Sequence, residues 1–271
     1  EEDIGNGDLT RFILDNRTAS AHWIAKEDGI FCGGGLVQLI FQKIDPHIDI
    51  QLLIDDGQKF EKNQRLLELK GPSSSLVAGE RVTLNVAMHL SGIATSTNFL
   101  VNQLSGSNMQ LADTRKTTPG FRIFEKYAFH CGGGINHRLG LDDAAMLKEN
   151  HIAWSKGISE SIKILKKSIP WTTKIIVEAE NPIQAKEAVH AGADAILLDE
   201  MSIKDIEKLV PELRQLARTT NSQYASNNIV IEVSGINPNN LSDYIHTGID
   251  LISTSAPITK SKWIDFSMRF N

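Results

Sequence analysis

Positive charge clusters between residues 113 and 151, in the run DTRKTTPGFRIFEKYAFHCGGGINHRLGLDDAAMLKENH. Arg115 and Lys116 stand near its start, His137 and Arg138 in its middle, and Lys148 near its end. Arg presents a planar fork that matches a carboxylate or phosphate, and Lys adds a compact charge. Thr-Thr-Pro-Gly follows the first cluster and Gly132-Gly133-Gly134 precedes the second, residues that shape backbone rather than fill a core. The whole chain carries a formal charge of −5. Cations gathered into one segment of such a chain point to a site for a small polyanion, not to a general affinity for nucleic acid. Each cluster alone reads equally well as solvated surface, and it is the glycine-shaped loops beside them that turn the reading towards a site.

The groups that could complete this site lie at the ends of apolar runs. KIIVEAE, DAILLDE, NNIVIEVSG and IDLISTS read as strands, with PIQAKEAVHAG, SIKDIEKLVPELRQLAR and NPNNLSDYIHTG as helices between them. Strands that are apolar on both sides and alternate with helices form a parallel sheet covered by those helices. A weak repeat runs through the units: VHAGADAILLD aligns with IHTGIDLISTS, pairing His190 with His246, Gly192 with Gly248 and Asp194 with Asp250. Upstream, Glu178 corresponds to Glu232 after a two-residue insertion. Repeated units of this kind close into barrels whose reactive groups stand at the C-terminal ends of the strands. A doubly wound open sheet would answer the same pattern.

Strand ends taken in order give Arg115 and Lys116 after MQLADT, Glu178, Asp199, Ser234-Gly235, and Ser253 to Ser255. Late strands of such barrels often build a phosphate site from backbone N–H groups and a helix N-terminus, which Ser234-Gly235-Ile236-Asn237-Pro238 leading into a helix would fit. Glu178 and Asp199 are either functional or serve as a structural ion pair or helix caps. As functional groups beside a phosphate site they would hold Mg²⁺ or a ribose diol. A sugar phosphate with a pyrophosphate leaving group would use all three features. Cleaving its C1–O bond creates an oxocarbenium-like centre that a carboxylate stabilises, while Mg²⁺ stabilises the leaving group. The glycine runs at 33–35 and 132–134 have the spacing of neither nucleotide fingerprint.

The elements ahead of these units are less regular. HWIAKEDGIF and HIDIQLLI read as strands, LVQLIFQKI as a helix, and Asp56-Gly57 as a turn. A helix is expected over 81–104, with Leu84, Ala87, Met88, Ile93 and Phe99 on its apolar face and Gly92 as a weak spot or a place of close packing. At 271 residues, 41% hydrophobic and 23% charged, the chain is of globular composition and suits one large domain or two modest ones. No run approaches a membrane span. The sequence opens on Glu1, so residues ahead of it are expected. Cys32 and Cys131 form no CxxC pair, suit a reducing cytoplasm, and are read as structural.

DTRKTTPGFRIFEKYA, CGGGINHRLGLDDAAMLKENHI, VEAEN, LLDEMS and EVSGI, with EDIGNGDLT and ERVTLNVAMHLSGIAT earlier, together resemble the quinolinate phosphoribosyltransferases, over almost the whole chain and in the family's order. The resemblance implies an α/β protein: an N-terminal α/β sandwich domain over residues 1–88, joined by the C-terminal tail 257–271, and an open or incomplete parallel α/β barrel over 89–256. It implies conversion of quinolinate and phosphoribosyl pyrophosphate to nicotinate mononucleotide, pyrophosphate and CO₂, with Mg²⁺, in de novo NAD biosynthesis. It implies a cytoplasmic homodimer with shared sites, open to higher assembly, engaging neither nucleic acid nor membrane. Arg115, Lys116, His137, Arg138 and Lys148 match the residues that hold the quinolinate carboxylates, and Arg81 matches an arginine delivered by the partner subunit. Glu178 and Asp199 match the carboxylates near the ribose and Mg²⁺; Lys116, Lys148, Glu178 and Asp199 form the expected catalytic set. Ser234, Gly235, Ser253, Thr254, Ser255 and Ala256 match the phosphate loops. Three positions depart from the family pattern: Ile236 and Ser255 replace glycines, and Glu200 replaces the asparagine of LLDNMS. TSAP and SGI also resemble a paralogue group found near molybdate-transport genes. NHRLGL and MLKENH look like the quinolinate enzyme, and the presence of Lys148 and Asp199 argues against a non-catalytic sugar-phosphate sensor.

Overall fold

The computed structural model describes residues 2–14, 17–220 and 229–270. The chain divides into two units: 1–99, 117–133 and 257–271 in the first, 100–116 and 134–256 in the second. The division expected at 88/89 falls inside one long helix, and the tail from 257 belongs with the first unit.

In the first unit, the run HWIAKEDGIF is split by a turn into β1 (Thr18–Ala25) and β2 (Gly29–Ile30). α1 (Gly34–Ile44), β3 (Asp49–Leu52), β4 (Lys59–Phe60), β5 (Arg65–Pro72), α2 (Ser73–Gln103) and α3 (Arg122–Cys131) follow in order. The last strand, β12 (Phe266–Phe270), pairs antiparallel with β1 and completes a sheet of order β12-β1-β5-β3; β2 and β4 form a separate ribbon. Trp23, Phe31, Phe41, Leu66, Leu67 and Phe266 are buried together, so the tail supplies part of this core. Helix α2 begins at Ser73, eight residues before the expected start. Its serine-rich first turn carries little apolar periodicity, yet Leu76 is fully buried and a Cβ on Gly79 would lie 2.4 Å from the Phe41 ring. At Gly92 a Cβ would meet the Lys262 carbonyl at 2.2 Å, so this glycine permits the tail to cross the helix. Phe99, expected on the apolar face, is 64% exposed.

The second unit is built on a parallel sheet. Its strands are β6 (Gln110–Ala112), β7 (Ala145–Leu147), β8 (Ile175–Ala179), β9 (Ala195–Asp199), β10 (Val230–Ser234) and β11 (Leu251–Ser253), in the order β6-β11-β10-β9-β8-β7. α4 (Glu149–Trp154), α5 (Ile158–Ser168), α6 (Pro182–Ala191) and α7 (Ile203–Thr219) lie between strands in sequence. Each strand from β7 to β11 neighbours its successor without reversal, and β6 lies beside the last of them. A doubly wound sheet reverses direction at a switch point; an unbroken circuit that returns the first strand to the last is the order of a barrel. The circuit is open between β6 and β7, where Ile135 contributes a single parallel bridge to Ala112.

The sequence repeat has a structural meaning. Gly192 and Gly248 both adopt left-handed backbone, at φ 82° and 78°. Two residues later, the Asp194 carboxylate accepts the Ile175 N–H at 2.9 Å and the Asp250 carboxylate accepts the Ile231 N–H at 2.8 Å. Each aspartate thereby ties the start of its strand to the start of the preceding one. NPNNLSDYIHTG, expected as an α-helix, forms a 3₁₀ segment over Pro238–Tyr244 broken at Asn240. Asn237 accepts the Asn239 N–H at 3.1 Å, the local side-chain competition that makes asparagine-rich runs poor α-helix formers. The first two residues of NNIVIEVSG lie outside the described residues.

Candidate active site at the strand ends

Because the strands are parallel, their C-terminal ends share one edge. The register sets Glu178 beside Leu197 and Leu197 beside Glu232, and two residues further Asp199 beside Ser234. Paired residues on neighbouring strands point to the same face. Ile176, Ala195 and Leu197 are buried on that face with Ala144 and Met146 against them. Glu178, Glu232, Asp199 and Ser234 therefore continue an apolar floor upward into a polar rim.

Lys148 follows β7 directly, and its ammonium forms an ion pair with Glu178 on the next strand. Ser234 Oγ donates to Asp199 Oδ1 at 2.5 Å. Neither carboxylate caps the helix that follows it, since Asn181 caps α6 and Ser202 caps α7. That removes the helix-cap alternative; the remaining one, an ion pair, is present for Glu178 but leaves Lys148 40% exposed at the rim.

Arg138 is buried, with Nη1 donating to the Ala144 carbonyl at 2.9 Å. Burial is the main force pushing its guanidinium below the usual arginine range, and the nearby Arg115 charge adds to it, while Glu178 opposes them. A buried guanidinium with a second cation beside it forms a place where an anion is stabilised. Lys116 is exposed beyond β6.

His137 is held from three sides. Its backbone N–H donates to Asp113 Oδ1 at 2.9 Å, its Nδ1 accepts the Arg138 N–H at 2.7 Å, and its Nε2 lies 3.3 Å from Glu232 Oε2. Asp113 and Glu232, both buried, are further members of this cluster, which the reading of strand ends passed over. The available signals were an acid inside the apolar strand IVIEV and an acid closing MQLAD.

The late strands supply small residues. Gly235 has φ +72°, and a Cβ there would fall 2.7 Å from Glu200 Cγ and 3.2 Å from Asp199 Oδ1, so glycine is required. Glu200 itself is left-handed at φ 52°. Ser253 is buried; the Thr254 N–H bonds the Ala112 carbonyl at 3.0 Å and the Ala256 N–H bonds Thr254 Oγ1 at 3.2 Å. The first of these amides is engaged by the neighbouring strand β6 and the second within the turn, so neither is offered to a phosphate. Ser255 precedes α8 (Ala256–Lys260).

Thirteen of the fourteen residues expected from sequence thus lie in the second unit, eleven at or just beyond its strand ends and His137 and Arg138 in the loop between α3 and β7. The exception is Arg81, exposed in the first unit and two turns inside α2; the sequence led us to expect it at the start of a helix.

Comparison with known proteins agrees in both halves. Residues 8–91 match the family model for the quinolinate phosphoribosyl transferase N-terminal domain, and 93–269 that for the C-terminal domain. A Synechocystis protein named as a probable nicotinate-nucleotide pyrophosphorylase (carboxylating) is 40% identical, the alignment covering 99% of this chain and 88% of that one. A Bacillus subtilis protein of the same name is 38% identical over 98% and 89%. The solved structure of the nicotinate-nucleotide pyrophosphorylase from Francisella tularensis superposes with a TM-score of 0.92 at 38% identity, covering 100% of this chain and 92% of that one.

Proposed function

The chain belongs to the quinolinate phosphoribosyltransferase family, and we propose that its barrel rim carries out the family reaction with the residues described above. It is a nicotinate-nucleotide pyrophosphorylase (carboxylating). It transfers phosphoribosyl from phosphoribosyl pyrophosphate to quinolinate and releases pyrophosphate and CO₂, in NAD biosynthesis. The observation that carries the assignment of residues is the Lys148–Glu178 pair beside Arg138. Without substrate, Lys148 and Glu178 neutralise each other. A quinolinate carboxylate competes for Lys148, and Arg115 and Arg138 hold the second. Glu178 is then released to face the ribose, where positive charge develops as the C1–O bond breaks. Asp199, oriented by Ser234, orders the ribose or the pyrophosphate. Ser234, Gly235 and the turn from Ser253 to Ala256 receive the 5′-phosphate. Once ribosylated, the ring nitrogen is cationic and stabilises the carbanion left on the adjacent ring carbon when its carboxylate departs as CO₂; a proton then taken up at that carbon completes the nicotinate ring. Lys116 lies on the open side of the cluster, and His137 fixes the loop that carries Arg138.

Mg²⁺ fits these residues as an ion carried by substrate. Among the described residues, Glu178 and Asp199 belong to no cluster of three metal-binding side chains, and each has one oxygen engaged by a protein partner. Mg²⁺ commonly takes one or two carboxylates plus phosphate oxygens and water. Bound that way, it would offset charge on the departing pyrophosphate. No described helix is long and apolar enough to cross a membrane, and both cysteines are free thiols, in keeping with a cytoplasmic protein.

We also propose a homodimer in which Arg81 serves the partner's rim. Purified protein given quinolinate, phosphoribosyl pyrophosphate and Mg²⁺ should release CO₂ and pyrophosphate in equal amounts; pyrophosphate without CO₂ would overturn the assignment. Arg81→Ala and Lys148→Ala proteins should each be nearly inactive. Mixed and re-associated, they should recover roughly a quarter of parental activity by two-site counting. No recovery after verified subunit exchange would place Arg81 in its own chain's chemistry or in none.

A further inference from the structure

Three side chains far apart in sequence converge in the first unit, among residues the reaction does not use. Cys32 precedes α1, Asp56 lies in the turn before β4, and Cys131 ends α3. One potential ligand atom from each lies within 4.8 Å of the other two. In a tetrahedral site with metal–sulfur bonds of 2.3 Å, two sulfurs stand about 3.8 Å apart, so closing on a metal needs a contraction of at most about 1 Å.

Each member is fixed by contacts of its own. The Cys32 N–H donates to Ser91 Oγ at 3.0 Å, and Ser91 Oγ donates back to the Cys32 carbonyl at 3.3 Å. The Gly57 N–H bonds the Phe31 carbonyl at 2.8 Å, which holds the turn bearing Asp56 beside Cys32. A Cβ on Gly57 would reach the Cys131 carbonyl at 3.4 Å, so the end of α3 packs on the same turn. The Asp56 carboxylate is oriented at both oxygens. Oδ1 accepts the Gly33 and Gly34 N–H groups at 2.9 and 3.0 Å, and Oδ2 accepts the Tyr127 hydroxyl at 2.9 Å. Oδ1 has both lone pairs engaged, whereas Oδ2 keeps one. An outer hydrogen bond to a ligating carboxylate is the usual way such ligands are held.

Helix capping explains Asp56 Oδ1, which serves the first amides of α1. It does not explain two thiols gathered against the same carboxylate. The Cys32–Cys131 hydrogen bond is the largest influence on both thiols, pulling Cys131 below the usual thiol range and pushing Cys32 above it. Two sulfurs thus stand within hydrogen-bonding reach of each other beside a negative charge. A dication would displace the thiol protons and offset two of the three negative charges that the thiolates and the carboxylate then carry. Thiolate favours zinc-type ions over Mg²⁺.

We propose that Cys32, Cys131 and Asp56 form a binding site for a thiophilic divalent cation of the zinc class, with solvent as the fourth ligand beside the part-exposed Cys131. The site is distinct in its residues and its metal chemistry from the Mg²⁺ expected at the rim.

The test uses the full chain, reduced with a phosphine, desalted without oxygen, and titrated with Co²⁺ and then Zn²⁺. A sulfur-to-cobalt charge-transfer band should appear with tetrahedral visible bands, saturate at about one ion per chain, and disappear when Zn²⁺ displaces Co²⁺. Zn²⁺ binding should release protons and weaken as pH falls, because the ligands bind deprotonated. Cys131→Ser, at the more exposed thiol, should abolish the band. Asp56→Asn keeps an oxygen for the two glycine amides and should weaken Co²⁺ binding roughly tenfold or more. X-ray absorption of the cobalt form of the unaltered protein should report two sulfur neighbours, a result independent of how any variant folds. A missing band in the reduced protein, a band that survives Cys131→Ser, or a first shell without sulfur would overturn the proposal. So would loss of both thiols to a disulfide while metal is present and binding is absent.

Discussion

Acidic side chains occupy both ends of the barrel strands, and the two ends treat them differently. At the N-terminal end, Asp194 and Asp250 accept backbone amides of the neighbouring strand. Lys174 joins the first at 3.2 Å and Arg214 joins the second at 2.9 Å. At the C-terminal end, Glu178 and Asp199 take side-chain partners, Lys148 and Ser234, which are themselves groups that can turn to a substrate. A carboxylate that satisfies an amide serves the sheet, because no other partner can reach that buried donor. One whose partners are side chains alone, as at Glu178 and Asp199, can exchange them for a substrate, and these are the carboxylates proposed to serve the reaction. Residue type is the same at both ends; the partner decides the role.

Substrate discrimination offers the largest effect by which to test this contrast. Arg115, Arg138 and Lys148 provide for two carboxylates, so nicotinate, with one, should lose roughly 2–5 kcal/mol in kcat/KM relative to quinolinate. Comparable efficiency on both acids would mean that the rim is not organised around a diacid. Asp199→Asn should come next. Its shape is preserved and its charge removed, so kcat should fall about 10²-fold or more, with quinolinate affinity from equilibrium binding little changed and the melting temperature held. Unchanged turnover would return Asp199 to a structural role.

Asp250→Ala probes the opposite end. It strips a partner from the buried Ile231 N–H and should reduce stability by roughly 1–3 kcal/mol, read by urea unfolding, while kcat per folded molecule stays at the parental value. A loss of kcat beyond the loss of folded protein would break the division between the two ends. The smallest effect belongs to Glu200, whose φ of 52° disfavours a straight-chain residue. Glu200→Asn restores the family's residue, which tolerates left-handed backbone, and should add up to roughly 1 kcal/mol of stability. A loss of stability would show that the Glu200 side chain makes contacts that outweigh its strain.

Some of this was readable along the chain because it depends on local alternation. The strands from Ile175 to Ser253 appeared as apolar runs, the helices between them ended at Gly192 and similar signals, and parallel pairing then placed Glu178, Asp199 and Ser234 on one edge. The start of α2 was hidden because serines carry no periodicity, and the segment after Asn237 misled because its asparagines bond their own backbone. Glu232 was visible as a lone acid in an apolar strand, but nothing local gave its partner as His137 of the loop after α3.

Composition, alternation and motif order by themselves determined the parallel α/β class, the basic segment and most of the rim, since each follows from residues a few positions apart. The repeat and the family resemblance pointed to an open barrel; tertiary structure decided how it is made, with β6 returning beside β11 and the circuit open between β6 and β7. It also decided that Cys32, Asp56 and Cys131 meet. Both results depend on contacts between segments distant in sequence, whose cost in chain entropy is offset only when the whole fold forms, and no local pattern records them.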